Sequence, residues 1–106
     1  MKYILTILLL TFNIASKAQC IPSQPSNVVV NTDSTTIEFN WDKDECADKY
    51  VIRYRKLNTF SWYSVSVKNI PFKITLPKNS VFVYQVSALN SRSTSSWTDF
   101  KTIIVP

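Results

Sequence analysis

A chain of 106 residues with a formal charge of +5, no His and no Gly fits one domain and closes off much chemistry at the outset. Without His there is no Ser-His-Asp or Cys-His constellation and no His-ligated zinc. Without Gly there is no phosphate-cradling glycine loop, and turns at positive φ fall to Asn or Asp.

The first element is a targeting segment. Lys2 precedes the apolar run "YILTILLLTFNIA" (3–15), which is short of the roughly 20 residues that span a bilayer. Ser16 and Ala18 then stand at the −3 and −1 positions of a signal-peptidase site, so cleavage is expected after Ala18. The competing readings are a buried helix and an uncleaved anchor. The favoured division is a signal peptide over 1–18 and a mature domain over 19–106, secreted, periplasmic or at the cell surface, with no stable membrane insertion after cleavage. Losing Lys2 and Lys17 lowers the net charge from +5 to +3. The remaining charge is mild and dispersed, unlike the basic stripe of a nucleic-acid binder, so no nucleic acid is expected as a partner.

Cys20 follows at once. A lipoprotein signal wants a small residue before the Cys and an aliphatic one three before it; Gln19 and Lys17 stand there instead. A lipid-anchored surface protein is therefore the remote alternative. An exported chain with two cysteines usually pairs them, which makes Cys46 the favoured partner. Two free thiols are the other possibility.

From residue 26 the patterning has period two. Strands are expected over 27–31, 35–41, 49–56, 60–67, 72–76, 81–90 and 100–105. The alternation is clearest in Ile37, Phe39 and Trp41, in Tyr50, Ile52 and Tyr54, and in Phe82, Tyr84, Val86 and Ala88. The breaks are polar or carry Pro: "NTDS", "DKDECAD", "KLNT", "KNIP", "PKNS" and "NSRSTSS". Short strands at this spacing, rich in β-branched and aromatic residues, predict an all-β, seven-stranded antiparallel β-sandwich.

The chain from Pro22 to Val105 resembles the fibronectin type III family, which implies a sandwich of immunoglobulin-like type. Trp41 matches the Trp of strand B. Tyr50, Ile52 and Tyr54 match the Tyr-x-hydrophobic-x-Tyr of strand C. Leu76, Pro77, Val86, Ala88 and Asn90 match the run into and along strand F. The corner tyrosine of the family is Phe82 here. Its ring can fill the core, but the hydroxyl that bonds back to the backbone is lost. The topology implied by the resemblance puts Cys20, before strand A, and Cys46, in the B–C loop, at the same pole. A Cys20–Cys46 disulfide is therefore expected.

Candidate sites are few. Asp42, Asp44, Glu45 and Asp48 cluster, but the spacing lacks the Gly and the terminal Glu of an EF-hand, and Lys43 and Lys49 interleave. A solvated polar loop is the expected reading. No metal, cofactor or catalytic group is assigned, and the chain is not expected to be an enzyme. More informative is the outward face of strands C, F and G. Arg53 and Arg55 alternate away from the core, Gln85 and Ser87 are expected outward, and Trp97 and Lys101 lie near the last strand. "SSW" (95–97) resembles half of the Trp-Ser-x-Trp-Ser motif of cytokine-receptor modules, in which arginines stack on Trp rings. Of Trp62 and Tyr63, neighbours in sequence, one ring should face outward. The expected function is an exported non-catalytic binding or adhesion module. It would offer loops and this face, including Arg53, Arg55 and Trp97, to an extracellular protein or glycan. A structural spacer or accessory domain of a larger secreted or surface protein is the alternative.

Overall fold

The computed structural model describes residues 20–106; the signal peptide read over 1–18 lies outside them. Seven strands form: β1 (Val29–Asp33), β2 (Thr36–Asn40), β3 (Lys49–Lys56), β4 (Tyr63–Val67), β5 (Phe72–Thr75), β6 (Ser80–Leu89) and β7 (Lys101–Val105). They make two antiparallel sheets, β1-β2-β5 and β4-β3-β6-β7. The expected β-sandwich is present, and its two sheets close on the alternating apolar positions.

From β2 come Ile37 and Phe39, with Trp41 just beyond; β3 supplies Tyr50 and Ile52; β6 supplies Phe82, Tyr84, Val86 and Ala88; β7 supplies Ile103 and Val105. All are buried. Burying each large apolar side chain contributes about 1.5–3 kcal/mol. Aromatic edges meet faces across the core: Phe39 and Tyr84 at 5.3 Å, Trp41 and Tyr50 at 5.0 Å. Phe82 fills the corner position as expected, its ring set edge-on to Tyr54 at 6.0 Å. Burial pushes the Tyr84 phenol up from its ordinary value.

The departures are local. β1 starts two residues later than its apolar run, because Asn27 adopts φ 55° and its side chain turns to Asp42 at 2.6 Å. Residues 60–62 are not strand; pairing of β4 begins at Tyr63, opposite Tyr54. Positive φ falls on Asn27, Asn58 and Asn79, the residue type expected in a chain without Gly, but also on Ser34 in the β1–β2 loop. Ser has no such tolerance, and the left-handed region costs a non-Gly residue about 1–2 kcal/mol.

The largest correction concerns Gln85 and Ser87. They do lie on the outer side of β6, opposite Arg53 and Val51, yet both are buried. β7 pairs only with Ser80–Tyr84. Above it, residues 94–98 lie along β6 without forming a regular strand. Ser95 N–H donates to Ala88 O (2.7 Å) and Thr98 N–H to Val86 O (2.9 Å). In return the hydroxyls, not the carbonyls, accept: Ala88 N–H donates to Ser95 Oγ and Val86 N–H to Thr98 Oγ1, both at 2.9 Å. Side chains thus complete the ladder, and the segment covers the outer face.

Candidate functional site

That covering segment delivers Trp97 to the outer face of the four-stranded sheet. β3 contributes Arg53 and Arg55, two residues apart on one side of the strand. Trp62 precedes β4 on the same side, since its neighbour Tyr63 lies on the other side of the sheet, exposed but stacked on Tyr54 at 5.5 Å. Phe100 precedes β7. These five side chains form one stack. The Arg53 guanidinium lies 4.2 Å from the Trp97 ring and 4.7 Å from the Trp62 ring. Arg55 lies 4.9 Å from Trp62 and 5.9 Å from Phe100. Trp62 and Phe100 are themselves stacked, 6.0 Å apart and 19° from parallel. Each guanidinium–ring contact contributes about 0.5–1 kcal/mol when exposed and about 2 when desolvated.

Hydrogen bonds set the planes. Arg53 donates from Nε (2.9 Å) and NH2 (2.6 Å) to Gln85 Oε1. Gln85 Nε2 donates to Thr98 O at 2.8 Å, and Gln24 Nε2 donates to Trp97 O at 2.7 Å. Buried Gln85 therefore links the arginine on β3 to the segment that carries Trp97. Arg55 NH1 donates to Thr59 O at 2.7 Å, which ties the stack to the β3–β4 loop. Neither arginine forms an ion pair with a carboxylate among the described residues. A guanidinium has five N–H donors, so both keep donors for a ligand at the edge of the stack. Aromatic faces and cations in one plane suit planar, anionic or carbonyl-bearing groups.

The structure thus brings together Arg53, Arg55, Gln85 and Trp97, residues singled out in the sequence, makes Trp62 the outward ring of the Trp62–Tyr63 pair, and adds Phe100 and Gln24. Outward parity marks Trp62 and Phe100 in the sequence. Gln24 carries no such signal, because its role depends on the path of the N-terminal segment.

At the pole away from the β3–β4 loop, Cys20 and Cys46 are bonded, with Cα atoms 5.4 Å apart. Asn90 organises this end. Its Nδ2 donates to both Cys20 O and Cys46 O at 3.0 Å, and its Oδ1 accepts from Arg92 N and Ser93 N at 2.9 Å. The side chain closes the turn after β6. The nearby acids are more than a solvated loop. Asp44 accepts from Ser23 N (2.6 Å) and Cys46 N (2.9 Å), and Asp42 accepts from Asn27. Both carboxylates hold the N-terminal segment to the loop before β3.

Solved structures share this architecture. The FN5 domain of Drosophila Lar is 22% identical, covering 80% of this chain and 97% of that one, at a TM-score of 0.66. A chain of the chicken CNTN1 FN1-FN3 domains is 25% identical over 76% of this chain and 29% of that one, at 0.65. A chain from a cytokine receptor complex is 17% identical over 84% of this chain and 54% of that one, at 0.72. No protein-family model and no curated protein matches the sequence. The described residues have the fibronectin type III fold.

Proposed function

We propose that this chain is an exported, non-catalytic module that binds an extracellular protein or glycan through the stacked arginine–aromatic face of its four-stranded sheet. The observation that carries the reading is the stack itself. Two guanidiniums lie between the rings of Trp97, Trp62 and Phe100, without a carboxylate partner. Arg and aromatic residues are the types enriched where proteins meet partners. Export is supported by the leader read over 1–18 and by the disulfide, a bond that persists in oxidising compartments. The non-catalytic reading rests on a composition without His or Gly.

The test uses the disulfide-intact domain 19–106 on arrays of extracellular proteins and glycans, beside the double variant Arg53→Gln/Arg55→Gln. Ligands retained by the wild type and lost by the variant are expected. If every retained ligand binds both alike, the face is not the binding site.

A second reading, a spacer or accessory domain, is favoured by one observation: the CNTN1 chain spans more than three times the aligned part, as a module within a longer array would. In that case the stack serves to fasten residues 94–100 onto β6. The double variant would then lose stability while no ligand distinguishes it from the wild type.

A further inference from the structure

β4 ends its sheet with one side open. It pairs with β3 alone, and no loop among the described residues bonds to the backbone of Tyr63–Val67 on the far side. Charge or Pro on an edge strand discourages further pairing. β5, an edge strand of the other sheet, follows that rule. It contains Lys73, which reaches Glu38 at 3.8 Å, and Pro71 and Pro77 flank it. β4 does not. From Phe60 to Val67 the sequence "FSWYSVSV" has no charge and no Pro. An uncharged strand of five residues therefore turns alternate N–H and C=O groups to the outside, where an extended segment can add by main-chain hydrogen bonds.

The two ends of β4 select the segment. Tyr63, Val65 and Val67 lie opposite Tyr54, Ile52 and Tyr50 of β3, on the side of the sheet that faces the core. At the first end Tyr63, 59% exposed, joins Tyr54, Leu76, Pro77 and Phe82 round an apolar pocket of about 210 Å³. At the other end Lys68, next to Val67, joins Lys43, Tyr50, Asn69 and Ile70 round a pocket of about 460 Å³. One acid, Asp48, lies on that wall too, yet neither lysine forms an ion pair among the described residues. From Tyr63 to Val67 is four residues, about 13 Å at the rise of a strand. In a strand laid along β4, positions i and i+4 therefore fall beside the two pockets. The wider charge distribution agrees. The acids all lie at 33–48 and at 99, so residues 49–98 carry eight Lys or Arg and no Asp or Glu. We infer that the free edge of β4 takes up an extended segment of another protein as an added antiparallel strand, with Asp or Glu at the Lys43–Lys68 pocket and a large apolar side chain, four residues later, at the Tyr63 pocket. The antiparallel sense is the more stable pairing per residue. A second copy does not meet the demand, because residues 60–70, the part that would pair, hold no acid. A glycan cannot continue a ladder of backbone groups. This edge is separate from the arginine–aromatic stack, and the inference goes beyond the reading built on that stack.

The probe is a phage-displayed library of random dodecapeptides, selected on the disulfide-intact domain 19–106, with enriched sequences resynthesised for titration and amide hydrogen exchange. Enrichment of Asp or Glu followed four residues later by a large apolar residue is expected. Bound peptide should slow exchange at alternate amides of Tyr63–Val67. Lys43→Gln/Lys68→Gln should weaken binding about fivefold and flatten its salt dependence, as two surface charges would. Its melting temperature should not change, because both side chains are exposed. Tyr63→Ser should weaken binding about tenfold through lost apolar contact. Arg53→Gln/Arg55→Gln should leave it within about twofold, since the stack makes no contact with the added strand and exposed charges at a distance are screened. Three results would overturn the inference. The library yields no enrichment above background. Enriched peptides bind the lysine and Tyr63 variants as tightly as the wild type and leave exchange in β4 unchanged; if Arg53→Gln/Arg55→Gln then abolishes them, the stack is their site and the edge is not. Sedimentation reveals a dimer that Tyr63→Ser dissociates, which makes the occupant a second copy.

Discussion

Arg53→Leu should destabilise the domain by about 2–5 kcal/mol, more than Arg55→Leu, although both residues belong to one stack. The difference comes from what each leaves behind. Arg53 loses contact with two indole rings, each contact contributing about 0.5–1 kcal/mol at an exposed site. It also abandons Gln85 Oε1, which accepts two of its N–H groups on a buried side chain. A buried acceptor left without a donor costs about 1–3 kcal/mol. Arg55 gives up contacts to Trp62 and Phe100 and one bond to Thr59 O, but that carbonyl belongs to a surface loop and can turn to water. About 1–2 kcal/mol is expected there, from the two ring contacts. The assay is urea unfolding followed by tryptophan fluorescence, with a Gln85→Leu double-mutant cycle alongside. Coupling between Arg53 and Gln85 should be about 1–2 kcal/mol, and the melting temperature of Arg53→Leu should fall by about 4–8 °C for each kcal/mol lost. Equal losses for the two arginines, or no coupling to Gln85, would refute the view that the buried amide orients the stack.

Three further outcomes follow from the same geometry. Replacing Cys20 and Cys46 together by Ala opens a closure with a sequence separation of 26 and should cost about 3–4 kcal/mol on the chain-entropy estimate; a loss below about 1 kcal/mol in urea unfolding would contradict it. Ser34→Asn should stabilise by about 0.5 kcal/mol or more, because Asn tolerates the left-handed conformation that Ser34 adopts; a lower melting temperature would count against strain in the β1–β2 loop. Burial raises the Tyr84 pKa, so the folded state holds this proton more tightly than the unfolded chain. Stability is therefore full below the ordinary tyrosine value near 10 and falls as pH rises past it. In Tyr84→Phe that alkaline fall should be shallower, and an unchanged pH profile from 8 to 11.5 would sink the assignment.

How far the molecule is legible in its sequence depends on periodicity. Ile37, Phe39 and Val86 alternate with polar neighbours, and the pleat converts alternation directly into burial. Arg53, Arg55 and Trp62 fall outward by the same rule. Trp97 could be singled out but not placed, because residues 90–99 are rich in hydroxyls and follow no period. What seats them is the fit of Ser95 and Thr98 onto the N–H groups of Ala88 and Val86, a relation between segments that neither segment displays alone. The same limit hid Gln85 and Ser87: parity assigns a face but not what covers it. Leu57 and Phe60 sit in a turn, where hydrophobicity carries no direction until the register of β3 against β6 is known. Asn90 reads as one more turn residue, although its amide makes four hydrogen bonds at the disulfide pole.

The hydroxyl-completed ladder has a consequence for life at high concentration. An open strand edge is a template on which another chain can add, and β-proteins blunt such edges against aggregation. Above Tyr84, β6 has no regular neighbour on its β7 side. There the N–H and C=O groups of Val86 and Ala88 are occupied by Ser95 and Thr98, partly through side chains that cannot pass the pairing on. The segment meets the hydrogen-bonding demand of β6 and ends the sheet in the same stroke. This stretch of edge offers no continuous row of backbone groups, and a second molecule finds nothing there from which to start a fibril.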